Sequence, residues 1–217
     1  MGLGRIAKSL TGTLFPSALL VGGRSGSGAP AAVTFDDGPH PANTPRILSA
    51  LAAADVRATF FLQGQEAQRH RGLVRDIHDA GHQVANHAYL HHDARRRPAR
   101  EYVEEVLRTQ DLLAEIVQGD LVRDFRPPYG SITPATFLAL VRRGFRFVFW
   151  SKDSRDSFLK EPALLVASVS DLAVADGDII LFHEDYPQTV AALPDILAGF
   201  RARSLRLGTT SEFGGVR

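Results

Sequence analysis

The sequence predicts an α/β fold, a β/α barrel of about seven parallel strands. Short runs rich in Val, Ile and Phe alternate with longer segments whose apolar residues recur at helical spacing, which is how βα repeats look in one dimension. Polar residues suited to chemistry follow one strand after another, at the C-terminal ends where parallel α/β folds keep their sites. Distance then decides between an open sheet and a curled one. Neighbouring strands lie about 4.8 Å apart, so the first and sixth strands of a flat sheet in sequential order would stand roughly 24 Å apart. A site built on metal bonds of about 2 Å cannot stretch that far. The sheet must curl into a barrel, or be reordered so that the relevant strands adjoin, and the barrel is the preferred reading.

In order, strands are expected at Ala31–Phe35, Ala58–Leu62, Gln83–Asn86, Asp124–Arg126, Arg146–Trp150, Asp178–Phe182 and Ser204–Leu207. Helices are expected at Thr44–Ala53, Gln65–Ala80, Ala99–Gln118, Pro134–Arg143, Pro162–Val174 and Gln188–Arg203. Thr133 before Pro134 suits an N-cap ahead of a first-turn proline. Gly81, Gly119 and Gly144 stand where helices should stop. Ahead of the first strand, residues 1–30 read as a separate segment: an amphipathic helix from Leu3 to Leu14, an extended piece from Ala18 to Val21, and a Gly/Ser-rich turn or linker from Gly22 to Gly28. Residues 31–217 form the main domain.

At 217 residues and 44% hydrophobic content the chain can build one substantial core. With 25 Lys plus Arg against 24 Asp plus Glu the net charge is +1, which gives no reason to expect a nucleic-acid partner. The Arg95-Arg96-Arg97 run reads as a solvated loop. With no cysteine, a metal would have to be held by His, Asp or Glu. The apolar stretch Leu10–Leu20 is interrupted by Thr, Gly, Pro and Ser and is too short to span a membrane. With no clear signal peptide, a cytoplasmic location is favoured over an exported or membrane-associated one. The oligomeric state is left open.

The stretch Val33-Thr34-Phe35-Asp36-Asp37-Gly38-Pro39-His40 organises the site. Two adjacent carboxylates at the end of a buried strand repel one another unless a cation sits beside them, so the pair asks for a metal, an arginine or both. Asp37, His87 and His91 are the metal candidates. His87 and His91 are four apart after a strand, a spacing that on a helix puts both rings on one face. Ala88 stands where a zincin protease requires Glu, so that reading fails. Two His and one carboxylate leave positions open for water and substrate, the arrangement of a catalytic metal.

Taken together, Thr34-Phe35-Asp36-Asp37-Gly38-Pro39, His87 to His91, Arg126-Pro127-Pro128-Tyr129-Gly130, Asp153-Ser154-Arg155-Asp156 and Leu181-Phe182-His183 resemble, in order and spacing, the motifs of the polysaccharide deacetylase family. This is the NodB homology domain, carbohydrate esterase family four. The resemblance runs from about Ala31 to the last strand and implies a distorted (β/α) barrel of seven strands. It also implies a hydrolase that uses a divalent metal to remove acetyl groups from sugars, mostly N-linked. The metal would be zinc first, with cobalt, nickel or manganese as alternatives. The partner would be an N-acetylated glycan of chitin-oligomer or peptidoglycan type.

Carried over by position, Asp37, His87 and His91 would hold the metal and Asp36 would be the general base, with Arg126 orienting and neutralising it. The Tyr129 backbone N–H would donate to the oxyanion, and Tyr129 would also touch substrate. His183 would be the general acid, kept protonated by Asp156, and Leu181 would line the acetyl pocket. Two positions depart from the family. Ala88 replaces the Ser or Thr often found after the first metal histidine, removing a hydrogen bond of the kind that supports ligands. Ser157 and Phe158 follow Asp156 where the family often has Trp, so Phe158 or Trp150 would take over that part of the substrate surface. A non-sugar amide or imide hydrolase, an O-acetyl esterase and a silent carbohydrate-binding module are the alternatives. His40, His70, His78, His82 and His92 read as surface or core residues, with His92 nearest the site. Asp153 reads as a loop cap, and Glu184-Asp185-Tyr186 as acidity at the rim.

Overall fold

In the computed structural model, which describes residues 18–20 and 28–213, nine strands form one sheet and pair throughout in parallel. They are β1 (Leu19–Leu20), β2 (Ala31–Asp36), β3 (Thr59–Leu62), β4 (Gln83–Asn86), β5 (Asp124–Phe125), β6 (Arg146–Val148), β7 (Lys152–Asp153), β8 (Ile179–His183) and β9 (Leu207–Gly208). The helices are α1 (Thr44–Ala54), α2 (Gly64–Arg69), α3 (Arg71–Asp79), α4 (Ala99–Val117), α5 (Pro134–Val141), α6 (Pro162–Ser170) and α7 (Pro187–Ala202). None of the described helices is long and apolar enough to cross a membrane.

The sheet order is β1-β6-β5-β4-β3-β2-β8-β7, with β9 also on β2. Both routes to a shared site are used. Reordering makes β2 and β8 direct neighbours, with Asp36 opposite His183. Curling does the rest: Arg126 follows β5, three strands from β2, which would be about 14 Å in a flat sheet. Its Nη1 nevertheless lies 2.7 Å from Asp36 Oδ1. Strand β8 takes one edge of β2 from Ala32 to Asp36, so the other edge is shared, β9 pairing at Ala31–Ala32 and β3 at Thr34–Asp36.

Alternation along the strands gives the sheet two different faces. Outward, Val33, Phe35, Phe60, Leu62, Ile180 and Phe182 pack with helix residues such as Ile47, Leu51, Leu113 and Leu193 in the main core. Phe35 stacks between Phe60 and Phe182 at 5.2 and 5.7 Å. Inward, a thin apolar layer of Ala32, Phe61, Ala85, Val148 and Ile179, joined by Phe213, separates a polar top from a polar floor.

The floor is made by the first residues of β3 to β6 and by the C-terminal segment. Buried Asp124 takes a two-pronged ion pair from Arg146, 2.7 Å at each contact, and accepts from Gln83 Nε2 at 2.8 Å and Thr210 Oγ1 at 2.9 Å. Arg146 also donates to the Phe213 and Thr210 carbonyls, both at 2.8 Å. Removing one member of a buried pair strands the other. Asp124→Ala should therefore cost about 3–5 kcal/mol of stability in urea unfolding; a loss well below about 1 kcal/mol would mean that the floor is idle.

Several boundaries differ from those expected. The helix expected over Gln65–Ala80 is two helices, broken at His70 with φ −124° and ψ 47°, where no glycine or proline marks the break. The strand expected to run to Trp150 stops at Val148. The chain then leaves β6 and pairs with β8 as β7, too short and polar to show a pattern. The last strand falls at Leu207–Gly208 rather than Ser204–Leu207. The left-handed end of α4 is taken by Gln118 (φ 55°), not Gly119. Thr133 caps α5 as expected, accepting from Thr136 N at 3.2 Å. The helix expected over Leu3–Leu14 lies outside the described residues, as does the linker apart from Gly28.

Candidate active site

Consecutive strand residues point to opposite faces, so Asp36 and Asp37 could not both serve one site from a regular strand. Asp36 keeps the register and points inward, while Asp37 has φ 73°, a left-handed turn that Asp tolerates and that ends the alternation. Their repulsion is met from both sides. Arg126 is fully buried and donates from Nη1 to Asp36 Oδ1 at 2.7 Å and to Thr34 Oγ1 at 2.8 Å. Its Nε and Nη2 donate to the Val148 and Phe149 carbonyls at 3.1 and 3.2 Å, and its guanidinium lies 4.1 Å over the Phe61 ring. Burial lowers the Arg126 pKa, but a guanidinium remains charged in any such setting.

On the other side stand the two histidines. His87 Nε2 and His91 Nε2 lie 3.4 and 3.2 Å from Asp37 Oδ1, and ligand atoms of all three residues fall within 4.8 Å of one another. Two ligands on a tetrahedral metal with bonds of about 2.05 Å are about 3.3 Å apart, so these spacings fit a divalent metal. The chemistry of the donors fits as well. His87 Nδ1 lies 2.7 Å from the Arg126 carbonyl, which can only accept, so Nδ1 carries a proton and Nε2 is the atom turned toward Asp37. Against burial, Asp36 and Asp37 raise this imidazole and favour a second proton on Nε2, whose loss leaves the lone pair for a metal. Burial opposes ionisation of Asp37, but the hydrogen bond and charge of His87, with His91 and His183 beyond, hold its carboxyl well below the usual range. Burial also lowers His91, against the pull of Asp37, favouring the neutral form that binds metals.

The two rings meet in a loop, not on a helix, with centroids 5.3 Å apart. The turn is made at Ala88, buried with φ 62°, whose N–H is accepted by Asn86 Oδ1 at 2.9 Å and whose carbonyl accepts from Gly64 N at 2.8 Å. Backbone and Asn86 contacts therefore hold the loop that a hydroxyl at position 88 would have supported.

Across the cluster, His183 Nδ1 lies 2.7 Å from Asp156 Oδ1, and its own backbone N–H donates to Asp156 Oδ2 at 2.7 Å. Asp156 is fully buried and held further by Thr189 Oγ1 at 2.8 Å. Burial would depress His183, but Asp156, with Asp36 and Asp37 behind it, outweighs burial and raises the imidazole to about 9. His183 is thus an imidazolium at neutral pH.

Leu181, two residues before His183 and opposite Thr34, is buried on the same inward face. Tyr129 (φ 59°) is 67% exposed and lays its ring 4.4 Å from that of His91. Trp150 packs near Arg126, at 5.8 Å, and against Gly130. Phe158 stands 74% exposed on the loop after Asp156. Asp153 accepts from Arg155 N at 2.8 Å, a loop cap. His82 is a core residue, its Nδ1 accepting from Ala58 N at 3.2 Å, and His92 turns toward Glu105 at 3.9 Å. Glu184, expected at the rim, is instead fully buried. One partner of the cluster was not anticipated: Gln63 donates from Nε2 to Asp37 Oδ1 at 3.0 Å. It directly follows β3, and the rule that polar residues at C-terminal strand ends form the site would have found it.

A curled parallel sheet thus carries an Asp-His-His cluster that could hold a metal ion between a buried arginine–aspartate pair and a histidine–aspartate pair, an arrangement suited to a hydrolase. The polysaccharide deacetylase family profile matches residues 23–148. A Bacillus cereus peptidoglycan-N-acetylglucosamine deacetylase is 36% identical over 186 residues, 83% of this chain and 86% of that protein. An Azorhizobium caulinodans chitooligosaccharide deacetylase is 34% identical over 173 residues, 80% and 81% of the two chains. The structure of a family 4 carbohydrate esterase from Streptomyces lividans in complex with acetate superposes with a TM-score of 0.79 at 34% identity, covering 87% of this chain and 96% of that one. The chain belongs to the polysaccharide deacetylase family of hydrolases.

Proposed function

We propose that the protein removes N-acetyl groups from a glycan containing N-acetylglucosamine, of the peptidoglycan or chitooligosaccharide type named for its relatives. The observation that carries the reading is the placement of Asp36 and His183 opposite each other across adjacent strands, beside the Asp37, His87 and His91 cluster. A divalent metal would be held by those three residues, zinc first with cobalt, nickel or manganese as alternatives, and would supply the Lewis acidity for activating water and polarising the acetyl carbonyl.

The chain's own residues do the rest. Asp36, with Oδ1 engaged by Arg126, takes the proton from the attacking water through its other oxygen. The Tyr129 N–H, on its left-handed turn beside His91, donates to the developing oxyanion. His183 gives its Nε2 proton to the leaving nitrogen while Asp156 holds Nδ1. Leu181 lines the methyl side of the acetyl pocket, and Tyr129, Trp150 and Phe158 offer aromatic surface to the sugar. A nitrogen anion is a far worse leaving group than an alkoxide, so a histidine held protonated to about 9 favours an N-acetyl over an O-acetyl substrate.

The test is acetate release from N-acetylglucosamine oligomers, peptidoglycan fragments and O-acetylated glycans, before and after chelation and with zinc, cobalt, nickel or manganese restored. Release that is lost with chelator and returns with metal is the expected result. Silence from zinc-loaded protein across the panel would overturn the proposal in favour of a non-sugar amide or a binding role.

A further inference from the structure

Glu184 is fully buried directly after His183, and none of the described cations pairs with it. Each of its polar groups except one reaches the β2 turn or the helix that follows. The backbone N–H donates to the Asp36 carbonyl at 3.0 Å, the carbonyl accepts from Asn43 Nδ2 at 2.7 Å, and Oε2 accepts from Thr44 Oγ1. That hydroxyl in turn accepts from His40 N at 2.8 Å. Oε1 makes no hydrogen bond and is seated against Gly38, where any Cβ would overlap the carboxyl. Burial, with Asp185 and Asp37 adding to it, raises the group to about 8 against the Thr44 hydroxyl and the His40 backbone N–H, which favours the un-ionised acid at neutral pH.

The turn it touches is the one that carries Asp37. On the β3 side Gln63 holds that turn, with N–H to the Gly38 carbonyl at 2.9 Å and Nε2 to Asp37 Oδ1 at 3.0 Å. On the β8 side the contact is Glu184. We infer that Glu184 is a positioning residue: its buried carboxyl, packed on Gly38 and bonded to Thr44, locks the Asp37 turn to the end of β8, so that the metal-binding carboxylate and the His183 imidazole keep one fixed relation. Gly38 is required because the carboxyl occupies the space of its side chain. This rests on the reading of Asp37 as a metal ligand.

The experiment is calorimetric titration of zinc into metal-free protein for wild type, Glu184→Gln, Glu184→Ala and Thr44→Val, each checked for folding by its melting curve. Glu184→Gln, which keeps the shape and a neutral acceptor for Thr44, should bind zinc within about threefold of wild type, whereas Glu184→Ala and Thr44→Val should lose about tenfold or more. Should Glu184→Ala fail to fold, the near-isosteric Thr44→Val carries the test. Folded Thr44→Val or Glu184→Ala with wild-type affinity would overturn the inference, as would Glu184→Gln as weak as Glu184→Ala. Wild type that binds no zinc would instead defeat the reading of Asp37.

Discussion

His87→Ala should bind zinc too weakly to protect the protein against heat, and should release acetate more slowly than wild type by about four orders of magnitude or more. The magnitude follows from losing several kcal/mol of Lewis-acid stabilisation, at tenfold per about 1.4 kcal/mol. Of the three proposed ligands His87 has the least freedom: it is buried, and its Nδ1 is fixed on the Arg126 carbonyl. Wild type at zinc a hundred times its dissociation constant gains about 2.7 kcal/mol of stability, visible as a higher melting temperature, and the variant should gain none. The substitution also leaves the Arg126 carbonyl unpaired, at about 1–3 kcal/mol. A modest drop in the metal-free melting point is therefore expected and separates folding from metal loss. A chelated His87→Ala protein that still turned over would show that the cluster is not the catalytic metal centre.

The fold was legible where burial leaves a pattern. Val33 and Phe35, Phe60 and Leu62, and Ile180 and Phe182 face the helices, and such runs show both the strands and their parallel order. Strand β1 falls inside the extended piece expected at Ala18–Val21, whereas β7 was not legible, because two polar residues carry no period. The site was legible because parallel strands bring their C-terminal ends to one rim, so Asp36, His87, Arg126 and His183 could be grouped before any distance was known. What a single sequence lacks is the direction of a side chain once the backbone leaves its regular period. Asp37 and Ala88 have positive φ, so neither strand alternation nor helical spacing describes how Asp37, His87 and His91 converge. Glu184 was misplaced for a related reason. An acid beside His183 reads as rim polarity, and only the packing of Gly38 and Thr44 around it shows a buried group.

Asp156→Asn should cost about a hundredfold to ten-thousandfold in kcat at pH 8 and move the alkaline limb of the rate profile down. In the proposed mechanism the general acid must be protonated, and His183 stays so until pH rises through about 9. Burial acts in the opposite direction, and the Asp156 hydrogen bond and charge are the main influences that outweigh it. With asparagine in place, the remaining carboxylates, Asp36 and Asp37, face burial without that support, so the imidazole should lose its proton at lower pH and be neutral at pH 8. The same pair is linked to stability. A histidine raised above its unfolded value of 6.5 stabilises fully below about pH 6.5, and that contribution fades as pH rises through about 9. Asp156→Asn should therefore flatten the fall in stability between those values as well as shift the rate profile. Zinc affinity should be little changed, because Asp156 is not part of the Asp37, His87 and His91 cluster. A variant with the wild-type alkaline limb would assign the proton donor to another group, and one that lost zinc in parallel with rate would make Asp156 a support of the metal site rather than of the acid.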